Sequence, residues 1–172
     1  MESIFWLFPV IFMLHEMEEI IGFKLWLDKN TDIIKIYPGF PKLYQNFSNE
    51  GFSTAVLEEY LLCIIITSLG IYFDIYIVWI GAFIVFSLHL LVHIIQSIVI
   101  KRYIPSLVSS ILLLPVSIFL IFKTIQHFRY TFYSVLISSV LCLILMLLNL
   151  SLIHWIMKKV TEKIKKQSNM NY

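Results

Sequence analysis

Residues 55–100 form an almost continuous apolar run with Asp74 near its middle. A membrane-spanning helix uses about 20 mostly apolar residues, so this run is twice the length of one span. Backbone placed in hydrocarbon must satisfy its own hydrogen bonds, which restricts an open run of this kind to helix. The run therefore predicts two antiparallel helices, 55–73 and 75–100, joined by a tight turn at Asp74. Composition points the same way. Of 172 residues, 59% are hydrophobic and 14% charged, against roughly 25% charged in a soluble domain. Mean hydropathy is +0.86. A chain of this size leaves too much surface in water to hide that apolar content, which excludes a soluble domain, a disordered chain and a nucleic-acid binder.

The remaining spans follow from the same pattern. An apolar stretch at 4–23 makes the first. It begins with Glu2 rather than a basic residue, and no small-residue cleavage site follows, so it is read as a span and not a leader. Residues 24–54 are polar, broken by Pro38-Gly39 and Pro41 and rich in aromatics, which predicts an interfacial loop. A fourth span is expected over 104–122, with Pro105 in its first turn and a kink at Pro115. After a short turn the fifth covers 131–157, and 158–172 is a basic tail. The expected fold is an all-α, multispan transmembrane helical bundle of about five spans in one domain. The positive-inside rule places the Lys-rich tail in the cytoplasm and the N-terminus outside, in the plasma membrane. Alternation then puts Lys24, Lys29, Lys35, Lys42, Lys101 and Arg102 inside as well, leaving only Lys123 and Arg129 outside. The abundance of Ile and Lys over Ala and Arg suggests an AT-rich, bacterial source. No internal repeat is visible, which disfavours an inverted-repeat transporter. Cys63 and Cys142 lie in apolar runs and read as buried thiols.

Ionisable side chains within spans are costly and mark function by default. At 1.5 Å per residue, His15 and His93 lie roughly 10–12 Å from the cytoplasmic ends of their helices. Glu19, Glu58, Glu59 and His154 lie roughly 5–8 Å from that side, and His89 about 16 Å. Residues far apart in sequence thus share one layer. His15, Glu18, Glu19 and Gly22 form one helical stripe, with Glu16 turned about 100° from His15. His89, His93 and Gln96 form a second. Facing stripes of this kind build metal sites in helical bundles. Imidazole and carboxylate together suit zinc, iron or manganese, so His15, Glu18, Glu19, His89 and His93 are candidate ligands. Glu18 or Glu19, or a carboxylate from Glu58 or Glu59, is a candidate general base. His15 to Glu19 has the outline of the zinc-protease pattern H-E-x-x-H, but Glu19 stands in place of the second His. Glu58 and Glu59 also suit a helix N-terminus electrostatically. His154 reads as a packed interfacial residue and His127 as a solvated one.

The string His15-x-x-Glu18-Glu19 resembles the motif of the HXXEE family of bacterial membrane proteins. A second block is similar to that family as well: His93-Ile94-Ile95-Gln96-Ser97, then Lys101-Arg102-Tyr103-Ile104-Pro105-Ser106, then Ser109. The resemblance covers about residues 4–120. It implies a multispan membrane protein whose signature residues are His15, Glu18, Glu19 and His93, with Tyr103 in the second block, and it implies no reaction. The family pattern leads us to expect Gly where Ser106 stands, Thr where Ser109 stands and an amide where His89 stands. Taken together these features give one leading expectation, a metal-dependent enzyme acting on a lipid-like substrate in the bilayer, with 24–54 as a lid over the site. The alternatives are a small transporter or proton carrier using the same groups, and a structural subunit with a satisfied polar core. The sequence leaves oligomeric state and substrate open.

Overall fold

The computed structural model describes residues 2–32 and 47–170. They are helical throughout, without a strand: α1 (Glu2–Phe5), α2 (Leu7–Lys29), α3 (Asn49–Phe73), α4 (Ile77–Ile100), α5 (Leu107–Phe128) and α6 (Phe132–Met170). Four of these, α3, α4, α5 and α6 as far as Ile164, are long and apolar enough to cross a membrane. α2 is also long, but carries Glu16, Glu18, Glu19, Lys24, Asp28 and Lys29.

Two of the turns fall where the sequence puts them. Asp74 closes α3 in the left-handed conformation, φ 55°, and Lys101 closes α4 at φ 56°. The helices, however, run past the predicted spans. Residues 24–29 continue α2, because Phe23, Trp26 and Leu27 keep helical spacing and pack on Phe47, Phe52 and Ile104. Trp26 and Phe47, expected on the membrane surface, are instead buried. Residues 49–54 belong to α3, whose N-terminus Ser48 caps by accepting from the Gly51 N–H. Residues 123–128, expected as a turn, extend α5, with Thr124 buried one turn beyond Leu120. Pro105 precedes α5 rather than opening it. The basic tail continues α6. Lys35, Pro38-Gly39, Pro41 and Lys42 of the expected loop, and with them the lid reading, lie outside the described residues.

The helices pack in a ring: α2 on α3, α3 on α6, α6 on α4, α4 on α5 and α5 back on α2. Lipid tails are as apolar as the side chains, so close packing rather than water exclusion holds such contacts together. Small residues allow it. A Cβ on Gly81 would lie 2.9 Å from the backbone of Ser138 on α6, and one on Gly51 would lie 2.8 Å from the Met157 carbonyl. The Ser138 hydroxyl donates to the Ile77 carbonyl across the same seam.

The ring's interior is filled from α1 and α2 on one side and α4 on the other; α2 and α4 run parallel and meet through large side chains. Phe5 lies against Tyr76 and Trp79, Phe8 against Phe83 and Phe86, and Phe12 against Phe86. The same three- and four-residue steps then carry both helices from rings into polar groups, at His15 on α2 and His89 on α4. Trp79, Phe83 and Leu90 are fully buried in this column.

Candidate metal centre

His15, Glu19, His89 and His93 converge above the aromatic column. One ligand-type atom from each lies within 4.8 Å of all the others. His93 Nε2 is the hub, 2.9 Å from Glu19 Oε1 and 2.9 Å from His89 Nε2. His15 Nε2 is 3.9 Å from Glu19 Oε1. Ligand atoms held about 2.0–2.2 Å from a tetrahedral ion sit about 3.4 Å apart, within the spread of these spacings.

The protonation chemistry at the hub favours a cation. An imidazole nitrogen carries either one proton or one lone pair, so His93 Nε2 can serve a carboxylate oxygen and a second imidazole nitrogen at once only by dividing one proton between them. A metal ion accepts lone pairs from all of them. His15 Nε2 and His93 Nδ1 are buried with no hydrogen-bond partner among the described residues, which native interiors rarely tolerate.

The orientation of His15 is fixed from behind. The Ser109 hydroxyl donates to the Ser106 carbonyl at 3.1 Å and so must accept from His15 Nδ1–H at 2.9 Å. That tautomer leaves a lone pair on Nε2, aimed at the cluster. Metal-binding histidines are commonly set this way by a hydrogen bond on the far nitrogen.

Glu18 is placed apart from this set. On a helix it lies about 100° from Glu19, and it turns to α5 instead of α4. Its carboxylate accepts from the Ser109 N–H at 2.7 Å, the Val108 N–H at 3.4 Å and the Tyr103 hydroxyl at 2.7 Å. The first N–H groups of a helix have no partner of their own, and the Ser106 side chain at the N-cap position makes no capping bond. Glu18 therefore caps α5 from a neighbouring helix, at the end where the helix dipole favours negative charge. Both of its oxygens are committed to α5 and Tyr103, and Glu19 is the carboxylate that joins the histidine cluster. Partial burial and the Glu18 carboxylate push the Tyr103 phenol up to about 12. Tyr103 thus stays a neutral donor, and the stabilisation from this raised pKa is intact below its ordinary value near 10, to be lost as pH climbs through 12.

The block around Tyr103 locks onto α2 elsewhere too. Trp26 Nε1 donates to the Tyr103 carbonyl at 2.6 Å, and Gly22 lets Pro105 approach so closely that a Cβ there would meet the proline ring at 2.9 Å. Ser106 has φ 96°, a conformation glycine adopts freely and other residues do not. Its buried hydroxyl lies beside the Glu19 carboxylate. Glycine is the residue the family resemblance leads one to expect here. Ser106→Gly is accordingly expected to stabilise the protein by about 1 kcal/mol, read as a rise in the thermal midpoint of the detergent-solubilised protein.

Other predicted residues have different surroundings. Glu58 turns to α6 and accepts from Asn149 Nδ2 at 3.1 Å. Glu59 is half-buried, close enough to Glu19 and Glu58 for their charges to interact. Gln96 is exposed and does not extend the His89–His93 stripe inward. His154 is exposed and bonded to the Leu150 carbonyl, and His127 is exposed. Glu16, set aside by the stripe argument, is buried, with Oε1 3.9 Å from His89 Nε2. The ring explains the omission: α2 has α3 on one side and α4 on another, so two of its faces are interior. A glutamate directly after His15 and inside a predicted span was the available signal.

Fold and site together define a helical protein of membrane type with an interior cluster of three histidines and a glutamate drawn from two parallel helices. The chain belongs to the HXXEE family, whose model, described as a protein of unknown function with HXXEE motif, matches residues 6–120. The match spans both halves of the site, from α2 through more than half of α5. No curated protein and no solved structure matches the chain.

Proposed function

We propose that the protein is an integral membrane protein of five spans that binds a divalent transition metal through His15, Glu19, His89 and His93. We further propose that it uses this centre to act on a substrate partitioned into the bilayer. The observation that carries the reading is the convergence of four ligand atoms within 4.8 Å, of which His15 Nε2 has no hydrogen-bond partner among the described residues. Charge balance supports it. Glu19 is buried, and its only ion-pair contacts among the described residues are to histidines. A divalent cation would supply the missing positive charge. The fifth span is α2, since it lies parallel to α4 along the whole aromatic column. The orientation follows the basic residues, with the tail and the 101–106 turn cytoplasmic, in the cell membrane.

A zinc-, iron- or manganese-type ion supplies Lewis acidity and an acidified water when bound. The chain's own residues do the rest. Ser109 fixes the His15 tautomer, Glu18 holds α5 against the site, and the aromatic column seals it from one side. Glu16, beside His89, is the carboxylate left to hold a proton.

Elemental analysis of protein purified in mild detergent without chelator is expected to find about one ion per chain. Chelator should lower the thermal midpoint, because an ion bound only to the folded state stabilises it by mass action. Metal-free protein with a chelator-insensitive midpoint would overturn the reading. The buried Glu16 beside half-buried Glu59 would then favour a proton or ligand carrier, tested by pH-driven flux in liposomes that Glu16→Gln abolishes.

A further inference from the structure

The metal cluster is not the only built feature at this end of the bundle. Between the last turns of α4 and the first turns of α5 an open groove of about 420 Å³ runs along the outer surface. Its walls are Ile94, Ile98, Leu107 and Ile111, and its end is formed by the turn that carries Lys101 and Tyr103. Ile98 and Ile111 are more than half exposed, facing outward from the ring.

The polar end is held in place by several independent contacts. Ser97 Oγ donates to the Arg102 carbonyl at 2.7 Å. Arg102 is paired with Asp32 at 2.8 Å and bonded to Asn30. Tyr103 is tied to α2 at both its carbonyl and its hydroxyl. Arg102 is therefore spent on structure. Lys101 is exposed, and its ammonium makes no hydrogen bond or ion pair among the described residues. A rigid apolar trough ending in one uncommitted cation matches an amphiphile with an acyl chain and an anionic head, and an ammonium suits phosphate as a point charge. The groove shares no residue with the metal set, yet Tyr103 and Glu18 connect its end to the helix that carries His15 and Glu19.

We propose that this groove binds an anionic phospholipid of the bilayer, its phosphate at Lys101 and one acyl chain along Ile94, Ile98, Leu107 and Ile111. The proposal rests on the membrane placement given above and is independent of the metal. A basic residue at an anionic membrane surface is worth about a fivefold preference, and a walled groove adds a fixed stoichiometry.

The test is native mass spectrometry of the full chain released from nanodiscs holding equal amounts of phosphatidylglycerol and phosphatidylcholine. One retained lipid per chain is expected, with phosphatidylglycerol favoured about fivefold. Lys101→Gln should bring the two lipids close to parity. Ile98→Trp, at a position that packs little, should fill the trough and remove the retained lipid while leaving metal content as in the wild type. Absence of a preferred lipid, or a preference unchanged in both variants, would overturn the proposal and assign retention to the Lys-rich tail. Displacement of the lipid by inorganic phosphate, with Ile98→Trp without effect, would also overturn it in favour of a soluble phosphate ester at Lys101.

Discussion

Replacing His93 with alanine is expected to empty the metal centre, lowering bound ion from about one per chain to below about a tenth in protein purified alongside the wild type. His93 Nε2 is the atom shared by the two closest contacts of the cluster, at 2.9 Å from Glu19 Oε1 and 2.9 Å from His89 Nε2. Losing even an outer-shell partner of a metal ligand typically costs 10- to 100-fold in affinity, so losing the hub ligand should cost at least about a hundredfold. Glu19→Gln should behave similarly, since it removes the anionic oxygen that balances the ion's charge. A structural role for His93 makes a different prediction, which Phe86→Ala exposes. Phe86 packs on the His15 and His89 rings, and its truncation should destabilise by about 3–5 kcal/mol without emptying the centre. Should His93→Ala retain its metal while merely melting earlier, the cluster is a packed polar network. Chelator sensitivity gives a second readout: it should be present in the wild type and in Phe86→Ala, and absent in His93→Ala.

Much of this site was legible before the structure because depth and face are both arithmetic on a helix. His15 and Glu19 one turn apart, and His89 and His93 one turn apart, had to line stripes, and the span count brought those stripes to one level. The parallel course of α2 and α4 follows from the same count. Three things were not legible. The division of labour between Glu18 and Glu19 depends on which helix stands where around α2, and a stripe wide enough to hold both does not say that one faces α4 and the other α5. The burial of Glu16 depends on α3, whose packing angle no periodicity reveals. The extra turns of α2, α5 and α6 carry polar residues that mark the end of a span but not the end of a helix. The apolar spacing of Phe23, Trp26 and Leu27 was the signal for the first of these extensions. His89 stands between the two cases. The helical spacing nominated it and the family pattern argued for an amide, and the structure places its ring 5.2 Å from that of His15 and 4.3 Å from that of His93.

Glu18→Ala is expected to produce the largest loss of stability among substitutions that touch no proposed ligand, by about 2–4 kcal/mol. The carboxylate serves two N–H groups at the start of α5 and the Tyr103 hydroxyl. Hydrogen bonds to a charged acceptor contribute about 1.5–3 kcal/mol each, but Glu18 is partly exposed and water can replace some of what is lost, which holds the total to the stated range. Glu18→Gln keeps one acceptor oxygen and the shape, so a loss of about 1–2 kcal/mol is expected there. The decisive comparison is metal content. A positioning Glu18 predicts that the Gln variant still carries about one ion per chain, while Glu19→Gln loses it, although the two positions are adjacent in sequence. Equal metal loss in both would return Glu18 to the ligand set and would mean that the α5 cap forms only when the ion is absent. Tyr103→Phe sharpens the reading. It removes one of the three bonds to Glu18 and should lower the thermal midpoint by less than Glu18→Gln does. Metal should stay in place, because Ser109, not Tyr103, connects this capping network to His15.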